Sequence, residues 1–247
     1  MLNYINAELY RNFNRKYFWM YTSIFVALAI LANIAFLILG VDSRTEALSA
    51  MLDFGIIVPT FIIAGFVDFV TAEENKTDTV RNVLTFGLSR TKMVVGKIIT
   101  TVIFAFIAQI IILSIFFVLY FSLYGVNTNV VNVIVLGFQK MLLATPLWIA
   151  CICMLTLLSF LIKNNNIAIT LYLVIIIFDK VAVEIVSTFF WSKFDVVQNI
   201  LITNKLKDIV QEGLKQNNIL YAITMGIIYI ILFTGLSIIY MNKKEIK

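Results

Sequence analysis

Residues 73–97 read EENKTDTVRNVLTFGLSRTKMVVGK, a densely charged stretch in a very apolar chain. Long apolar runs flank it on both sides, at about 52–72 and 93–124. A run of about 20 apolar residues is long enough to cross a bilayer as a helix. The charged stretch is therefore predicted to lie outside the membrane and to connect two membrane-spanning helices.

The composition of the whole chain is that of a membrane protein. Of 247 residues, 61% are hydrophobic and 13% are charged, and the mean hydropathy is +0.97. An ordinary soluble domain has roughly 25% charged residues. We therefore predict an all-α, polytopic membrane protein in a single domain over residues 1–247, in contact with the lipid bilayer. The apolar runs predict six spans, at about 18–40, 52–72, 93–124, 141–162, 167–191 and 219–241.

The first segment of the chain is predicted to be an amphipathic helix. Within residues 1–17, Leu2, Ile5, Leu9 and Phe13 fall at helical spacing, and polar and basic residues occupy the other positions. This pattern is typical of a helix that lies in the membrane interface, with its basic groups toward the lipid headgroups.

Four further features lie between or within the predicted spans. Residues 40–51 are predicted to be a polar connection, and Pro59 is predicted to kink the second span. A short interfacial helix is predicted over 133–139, because Lys140 would otherwise be buried. Residues 192–218 are polar but carry regularly spaced apolar residues, which predicts one or two amphipathic helices at the membrane surface.

The distribution of basic residues predicts the orientation. Six spans place both termini on the same side of the membrane. Of the 19 lysines and arginines, twelve fall in the segments predicted on that side and five on the other. Basic residues prefer the cytoplasmic side. Both termini and the 73–97 stretch are therefore predicted to be cytoplasmic.

The residue content argues against several function classes. The chain has no histidine, which removes the commonest metal ligand and general base, so we predict neither catalytic residues nor a metal site. It has no G-x-x-x-x-G-K-[ST] phosphate loop, so ATP hydrolysis would need a partner. Cys151 and Cys153 lie in an apolar run and are predicted to be buried free thiols. The net charge of +5 comes from basic residues scattered over loops, which indicates membrane topology and not nucleic-acid binding.

The charged stretch has the signals of a short helix. Thr77 or Asp78 can cap its start, Gly87 suits its end, and Ser89 can cap the helix that follows. Apolar residues at near-helical spacing lie among the charges between 79 and 86. We predict a short helix across the cytoplasmic membrane face that offers a docking surface; the alternative is an ordinary solvated loop.

The same stretch resembles a known family at seven positions: Glu74, Thr79, Leu84, Ser89, Arg90, Gly96 and Lys97. The family is that of the permease subunits of ABC-2 type (type V exporter-like) ABC transporters. Asp78 and Gly87 stand where the family usually has Gly and Pro. The order of an interfacial helix, six spans and a long segment between the last two spans is also similar to the family.

The resemblance implies a partner and a set of contact residues. The helix of the charged stretch would be the coupling helix, which contacts a separate ATP-binding subunit. The coupling residues would be Glu74, Thr79, Val80, Arg81, Val83, Leu84, Phe86, Ser89 and Arg90. The N-terminal connecting helix, with Leu2, Ile5, Leu9 and Phe13, would contact the same subunit. This chain would bind no cofactor itself; ATP and Mg²⁺ would bind the partner ATPase.

The resemblance also implies an assembly of two permeases, either two copies or two paralogues, with two ATPases. Residues 192–218 would form re-entrant helices at the outer mouth. The cargo expected from similar small Gram-positive permeases is an amphipathic antimicrobial or cytolytic peptide, exported or removed from the plasma membrane. Alternatives are drug or antibiotic efflux, lipid or polysaccharide export, or an ion-coupled carrier. The Ile-, Asn- and Lys-rich composition suggests a Gram-positive bacterium.

Three charged residues, Asp179, Lys180 and Glu184, lie inside the predicted fifth span. Charges at membrane depth are costly and usually face a protein interior or a water-filled cavity. Lys180 and Glu184 are four residues apart and can pair on a helix. Two readings stay open: a structural ion pair beside the outer helices, or the lining of a translocation path or outer gate.

Overall fold

A computed structural model describes residues 1–39, 44–72, 88–125, 127–162, 164–189 and 197–243. Within these ranges the chain is helical and contains no β-strand, which confirms the predicted all-α class. The helices in chain order are α1 (Leu2–Phe13), α2 (Lys16–Leu39), α3 (Arg44–Ile57), α4 (Pro59–Val67), a π-helical segment (Asp68–Ala72), α5 (Arg90–Tyr124), α6 (Thr128–Leu161), α7 (Asn165–Phe189), α8 (Ile202–Glu212) and α9 (Gln216–Lys243).

Five stretches of the described chain are long and apolar enough to cross a membrane: Lys16–Leu37, Thr45–Thr71, Arg90–Tyr124, Thr128–Leu161 and Asn218–Lys243. They correspond to five of the six predicted spans. The remaining prediction, 167–191, corresponds to α7, which is 25 residues long but is not among the five. It is the helix that carries Asp179, Lys180 and Glu184.

The second span begins earlier than predicted. Residues 44–51 are the first turns of α3, so the predicted polar connection over 40–51 is wrong from residue 44 onward. Ala47 and Leu48 are buried in the bundle, and this burial favours helix where the local composition indicated a loop.

The second span is divided at Val58, directly before Pro59, into α3 and α4. The kink predicted at Pro59 stays a prediction. Proline has no backbone N–H and interrupts the helical hydrogen-bond ladder. Two side chains bond carbonyl groups beside the break. Trp148 Nε1 donates to the carbonyl oxygen of Ile56 at 2.9 Å, and Thr60 Oγ1 donates to that of Ile57 at 2.6 Å.

The fourth span is one continuous helix, α6, so the separate interfacial helix predicted over 133–139 is wrong. The reason is that Lys140 is buried with partners. Its Nζ lies 2.8 Å from Asp53 Oδ1 of α3 and 2.9 Å from the carbonyl oxygen of Val210 of α8. A paired lysine can stay inside the bundle, whereas an unpaired one would have to reach water.

Helix α6 is the centre of the fold. In its apolar stretch 67% of the residues are buried, more than in the other four candidate spans, and it packs against α3, α4, α5, α7, α8 and α9. Its contact with α9 is very close: a Cβ atom on Gly226 would lie 2.5 Å from Cβ of Pro146. Cys151 and Cys153 are buried in this helix as free thiols, as predicted.

Candidate functional site

At one end of the bundle a buried lysine joins three segments. Lys97 of α5 is 1% exposed. Its Nζ donates to the carbonyl oxygen of Val70, in the π-helical segment, at 2.7 Å and lies 3.3 Å from Glu8 Oε2 of α1. We call this side of the bundle the Lys97 end and the opposite side, where Lys140 meets α8, the Lys140 end.

The carboxylate of Glu8 is also buried, with 4% of the side chain exposed. Its Oε2 atom accepts from Arg11 Nη2 at 2.7 Å, in addition to Lys97. Asn12 Nδ2 donates to the Glu8 carbonyl oxygen at 2.9 Å. Since a buried charge is stable only when it is paired and hydrogen-bonded, Glu8 and Lys97 each make the burial of the other possible.

The ring of Tyr4 in α1 packs closely against Gly96 of α5. A Cβ atom on Gly96 would lie 2.7 Å from Cδ1 of Tyr4, so a larger residue at this position would force the ring to shift. Gly96 and Lys97, two of the positions that carry the family resemblance, therefore serve one contact. Gly96 allows α1 to approach, and Lys97 pairs with its carboxylate.

One face of α1 packs against the bundle, a contact that the sequence did not predict. Ile5 is buried together with Glu8 and Asn12. Leu9 is partly buried against the aromatic cluster around Phe18, whereas the other two residues of the predicted connecting face are exposed: Leu2 at 75% and Phe13 at 42%. The helical periodicity was predicted, but the ion pair with Lys97 decides which side of α1 faces the bundle.

The π-helical segment carries a second link at the Lys97 end. Asn165 Nδ2, in the first turn of α7, donates to Asp68 Oδ1. Short π-helical turns inside α-helices are frequent at functional sites. Through Asp68 and Val70 this one segment contacts both α7 and α5.

The start of α5 is tied to the end of α9. Arg90 Nη1 donates to the carbonyl oxygens of Met241 and Asn242 at 2.7 and 2.8 Å. A guanidinium at a helix C-terminus binds unpaired carbonyls and interacts favourably with the helix dipole. Ser89 is the N-cap of α5, and its Oγ accepts from the N–H of Lys92 at 3.4 Å. This confirms the cap predicted at Ser89.

Seven of the predicted coupling residues lie outside the described residues: Glu74, Thr79, Val80, Arg81, Val83, Leu84 and Phe86. The two that are described, Ser89 and Arg90, lie at the Lys97 end with the contacts given above. Their contact with an ATP-binding subunit stays a prediction. The structure places both flanks of the 73–87 stretch, residues 68–72 and 88–97, at this same end.

The three charged residues of α7 divide into two groups. Asp179 Oδ2 accepts from Thr203 Oγ1 of α8 at 2.5 Å, so this carboxylate links α7 to the amphipathic helix. Lys180 and Glu184 pair with each other at 3.5 Å, and their side chains are 45% and 50% exposed. Asp179 is therefore an internal contact at the Lys140 end, while the Lys180–Glu184 pair lies on the surface of the bundle.

Helix α8 confirms the predicted amphipathic helix within 192–218. It buries Ile202, Leu206 and Ile209 against the bundle. At its end, Asn218 and Lys215 donate to the carboxylate of Glu212 at 3.1 and 3.4 Å. These hydrogen bonds lower the pKa of Glu212 from its ordinary value.

Sequence reasoning missed the Glu8–Lys97 pair. A signal for it was present, because Glu8 is the one acidic residue in the first 41 positions and Lys97 is a lysine just inside an apolar run. In the described part of the chain there is no group of three or more His, Cys, Asp or Glu side chains that could hold a metal ion.

Membrane-length helices packed around a buried central helix, with charged links at both ends, define a multi-pass α-helical membrane protein. The family described as ABC-2 family transporter protein matches residues 4–179, more than two thirds of the chain. The chain therefore belongs to that family and is a permease component of an ABC transporter, and the family implies an ATP-binding partner subunit. Comparison with curated proteins gives no match.

Proposed function

We propose that this chain is the permease subunit of an ATP-driven exporter and that its ATP-binding partner docks at the Lys97 end. The carrying observation is the buried Lys97 link, which joins α1, α5 and the π-helical segment. If the partner moved the 73–87 stretch, the movement would act on the segments on either side of it, which contact each other at Lys97. That movement would reach α1 through Glu8 and α9 through Arg90.

The proposed docking surface consists of the coupling residues within 73–87 and the exposed part of α1. Two partner-facing elements must move together if ATP hydrolysis is to change the membrane helices. The ion pair and the Gly96–Tyr4 contact hold α1 against α5, which begins directly after the proposed coupling helix. This arrangement supports a single rigid surface at the predicted cytoplasmic side, to which the ATP-binding subunit would dock.

We further propose that α7 faces a second permease, either a second copy or a paralogue. Lys180 and Glu184 are half exposed on a helix whose neighbouring surface includes exposed Phe178, Val181 and Ile185. Charged side chains within a membrane-spanning segment are costly and usually face a protein interior or a water-filled cavity. Contact with another permease, or with a water-filled path between the two, would remove this pair from lipid.

The cargo we propose is an amphipathic antimicrobial or cytolytic peptide, moved out of the cell or the plasma membrane of a Gram-positive bacterium. This part rests on the resemblance to small Gram-positive permeases and on the composition. Drug or antibiotic efflux and lipid or polysaccharide export are the alternatives within the same family. A permease for any of these cargoes would use the same surfaces to bind the ATPase and the second permease. The docking test therefore does not depend on which cargo is transported.

The docking proposal is tested by co-purification with the ATP-binding subunit and by ATPase activity in proteoliposomes. The variant Arg81→Glu with Leu84→Asp alters the proposed coupling helix. We expect it to lose the partner and the permease-dependent ATPase activity while it still inserts in the membrane. Lys215→Glu, at the Lys140 end and 67% exposed, is the matched charge-reversal control and should keep both. Full transport by the purified chain without ATP or a partner would refute the proposal.

A further inference from the structure

The bundle contains a cavity of about 450 Å³ that no contact described so far uses. It lies between α2, α3, α4, α5 and α6. On α5 it begins at Gln109, twelve residues beyond Lys97, or about 18 Å along the helix. The cavity is therefore at membrane depth, well away from the proposed docking surface. Its volume is within the range of about 300–1,000 Å³ of small-molecule sites.

The walls of the cavity are hydrocarbon and aromatic, with one exception. Among the described residues that line it, Gln109 is the one polar side chain, and the aromatic wall residues are Phe25, Phe36, Phe54 and Phe116. Gln109 also lines a second, much smaller cavity that reaches Trp148 and Phe66. The carboxamide therefore lies where the two spaces adjoin.

The Gln109 side chain is partly buried at the cavity, and its carboxamide has no hydrogen bond to another residue of the described ranges. An amide without a partner in an apolar environment is costly, and in lipid no water compensates for it. An apolar cavity with a single unpaired amide is therefore suited to a ligand that is mostly hydrocarbon and brings one hydrogen-bonding group of its own.

The mouth of the cavity faces the membrane. Leu28 of α2 and Phe54 of α3 line it and are 53% and 70% exposed on the surface of two candidate spans. A ligand would thus enter sideways from the hydrocarbon of the bilayer. The described lining residues carry no charge, so a charged headgroup would lose its hydration without gaining a partner.

We propose that this cavity binds a neutral, single-chain amphiphile: a hydrophobic molecule with one hydroxyl or carbonyl group, which hydrogen-bonds to Gln109 while its chain fills the apolar space. The site is independent of the proposed docking of the ATPase, because none of the residues that line it lies at the Lys97 end. It is also independent of whether the ligand is cargo or a resident membrane component.

The test is photolabelling of the full-length protein in proteoliposomes with a diazirine-bearing octanol, followed by mass-spectrometric mapping of the adducts. We expect saturable labelling of the cavity residues that unlabelled octanol competes away. A diazirine-bearing octane, which lacks the hydroxyl group, should label the same residues with about fivefold to tenfold lower affinity, the effect of one lost hydrogen bond.

Two variants distinguish the contribution of the Gln109 amide from that of the apolar cavity. Gln109→Leu should lower the affinity for the octanol probe by about the same factor and leave the affinity for the octane probe unchanged. Ala50→Trp, at an exposed position of the lining, should fill the mouth and abolish labelling by both probes. Ala27→Trp, exposed on α2 and not part of the lining, is the matched control and should label like the wild type.

Labelling that does not saturate, that spreads evenly over the lipid-facing helices, or that survives Ala50→Trp would show annular lipid contact only and would overturn the proposal. Equal affinity of alcohol and octane for the wild type would overturn the role of Gln109. Monodispersity and thermal unfolding of each variant are measured first. If Ala50→Trp does not fold, the comparison of the two probes on Gln109→Leu decides by itself.

Discussion

The ammonium group of Lys97 and the carboxylate of Glu8 lie 3.3 Å apart, both almost completely buried, although 89 positions separate them in the chain. The same ammonium binds the carbonyl oxygen of Val70 at 2.7 Å. One ammonium group thereby links three segments: α1, the end of the second span and the start of the third. In an ABC-2 permease this is the end at which we propose that the ATPase docks.

Removing the lysine alone should be strongly destabilising. Lys97→Met removes the ammonium that pairs with the buried carboxylate of Glu8, which still accepts from Arg11, and leaves the Val70 carbonyl without this donor. Breaking one side of a buried pair costs about 3–5 kcal/mol. We expect a lower unfolding temperature in detergent and faster proteolysis of α1.

The matched control for that change is the double variant Lys97→Met with Glu8→Gln. Because it has no uncompensated buried charge, it should recover part of the lost stability. A double variant whose loss equals the sum of the two single losses would show that the two residues do not interact, contrary to the structure.

The contact between α6 and α9 should not tolerate a side chain. A Cβ atom at Gly226 would lie 2.5 Å from Cβ and 3.0 Å from the carbonyl carbon of Pro146. Gly226→Val should therefore force the helices apart and lower stability by about 1–3 kcal/mol or more. The measurement is thermal unfolding of the purified protein.

Helix α9 supplies its own control for this substitution. At Gly235 a Cβ atom would meet nothing within 4 Å. Gly235→Ala should leave stability unchanged or raise it by up to about 1 kcal/mol through helix propensity. Equal effects of Gly226→Val and Gly235→Ala would contradict the close helix contact.

The pair formed by Lys140 and Asp53 should anchor α8 to the bundle. Lys140→Gln removes the ammonium that binds both Asp53 Oδ1 and the carbonyl oxygen of Val210. We expect limited proteolysis within 197–218 to become faster. Lys207→Gln, an exposed residue of the same amphipathic helix, should have no effect on the cleavage rate. Unchanged proteolysis of Lys140→Gln would mean that apolar packing alone holds α8.

A second permease on α7 is tested by crosslinking. In a background with Cys151→Ala and Cys153→Ala, Ile185→Cys places a thiol beside the exposed Lys180–Glu184 pair. We expect a disulfide-linked dimer in membranes after mild oxidation. Leu142→Cys, on α6 and 77% exposed, is the control and should remain monomeric. A dimer through Leu142→Cys and none through Ile185→Cys would place the interface elsewhere.

Local patterns in the sequence predicted the elements of the fold. Hydropathy correctly predicted the positions of five spans, and Ser89 was correctly predicted to cap α5. These predictions succeeded because each depends on a contiguous segment of the chain. The same reasoning failed where a distant partner changes the outcome. Residues 133–139 belong to the continuous helix α6, since Asp53 and Val210 bind Lys140 inside the bundle.

The apolar runs of membrane length predicted an all-α membrane protein, because a helix satisfies its backbone hydrogen bonds internally within lipid. The motif in the charged stretch indicated the ABC-2 family, which the match over residues 4–179 confirms. Three features depend on how the helices pack together and could not be predicted from the sequence: the buried face of α1, the pairing of Lys97 and the cavity that Gln109 lines. The periodicity of a sequence describes each helix separately. The surroundings of a charged group or an amide depend on which other helices pack beside it.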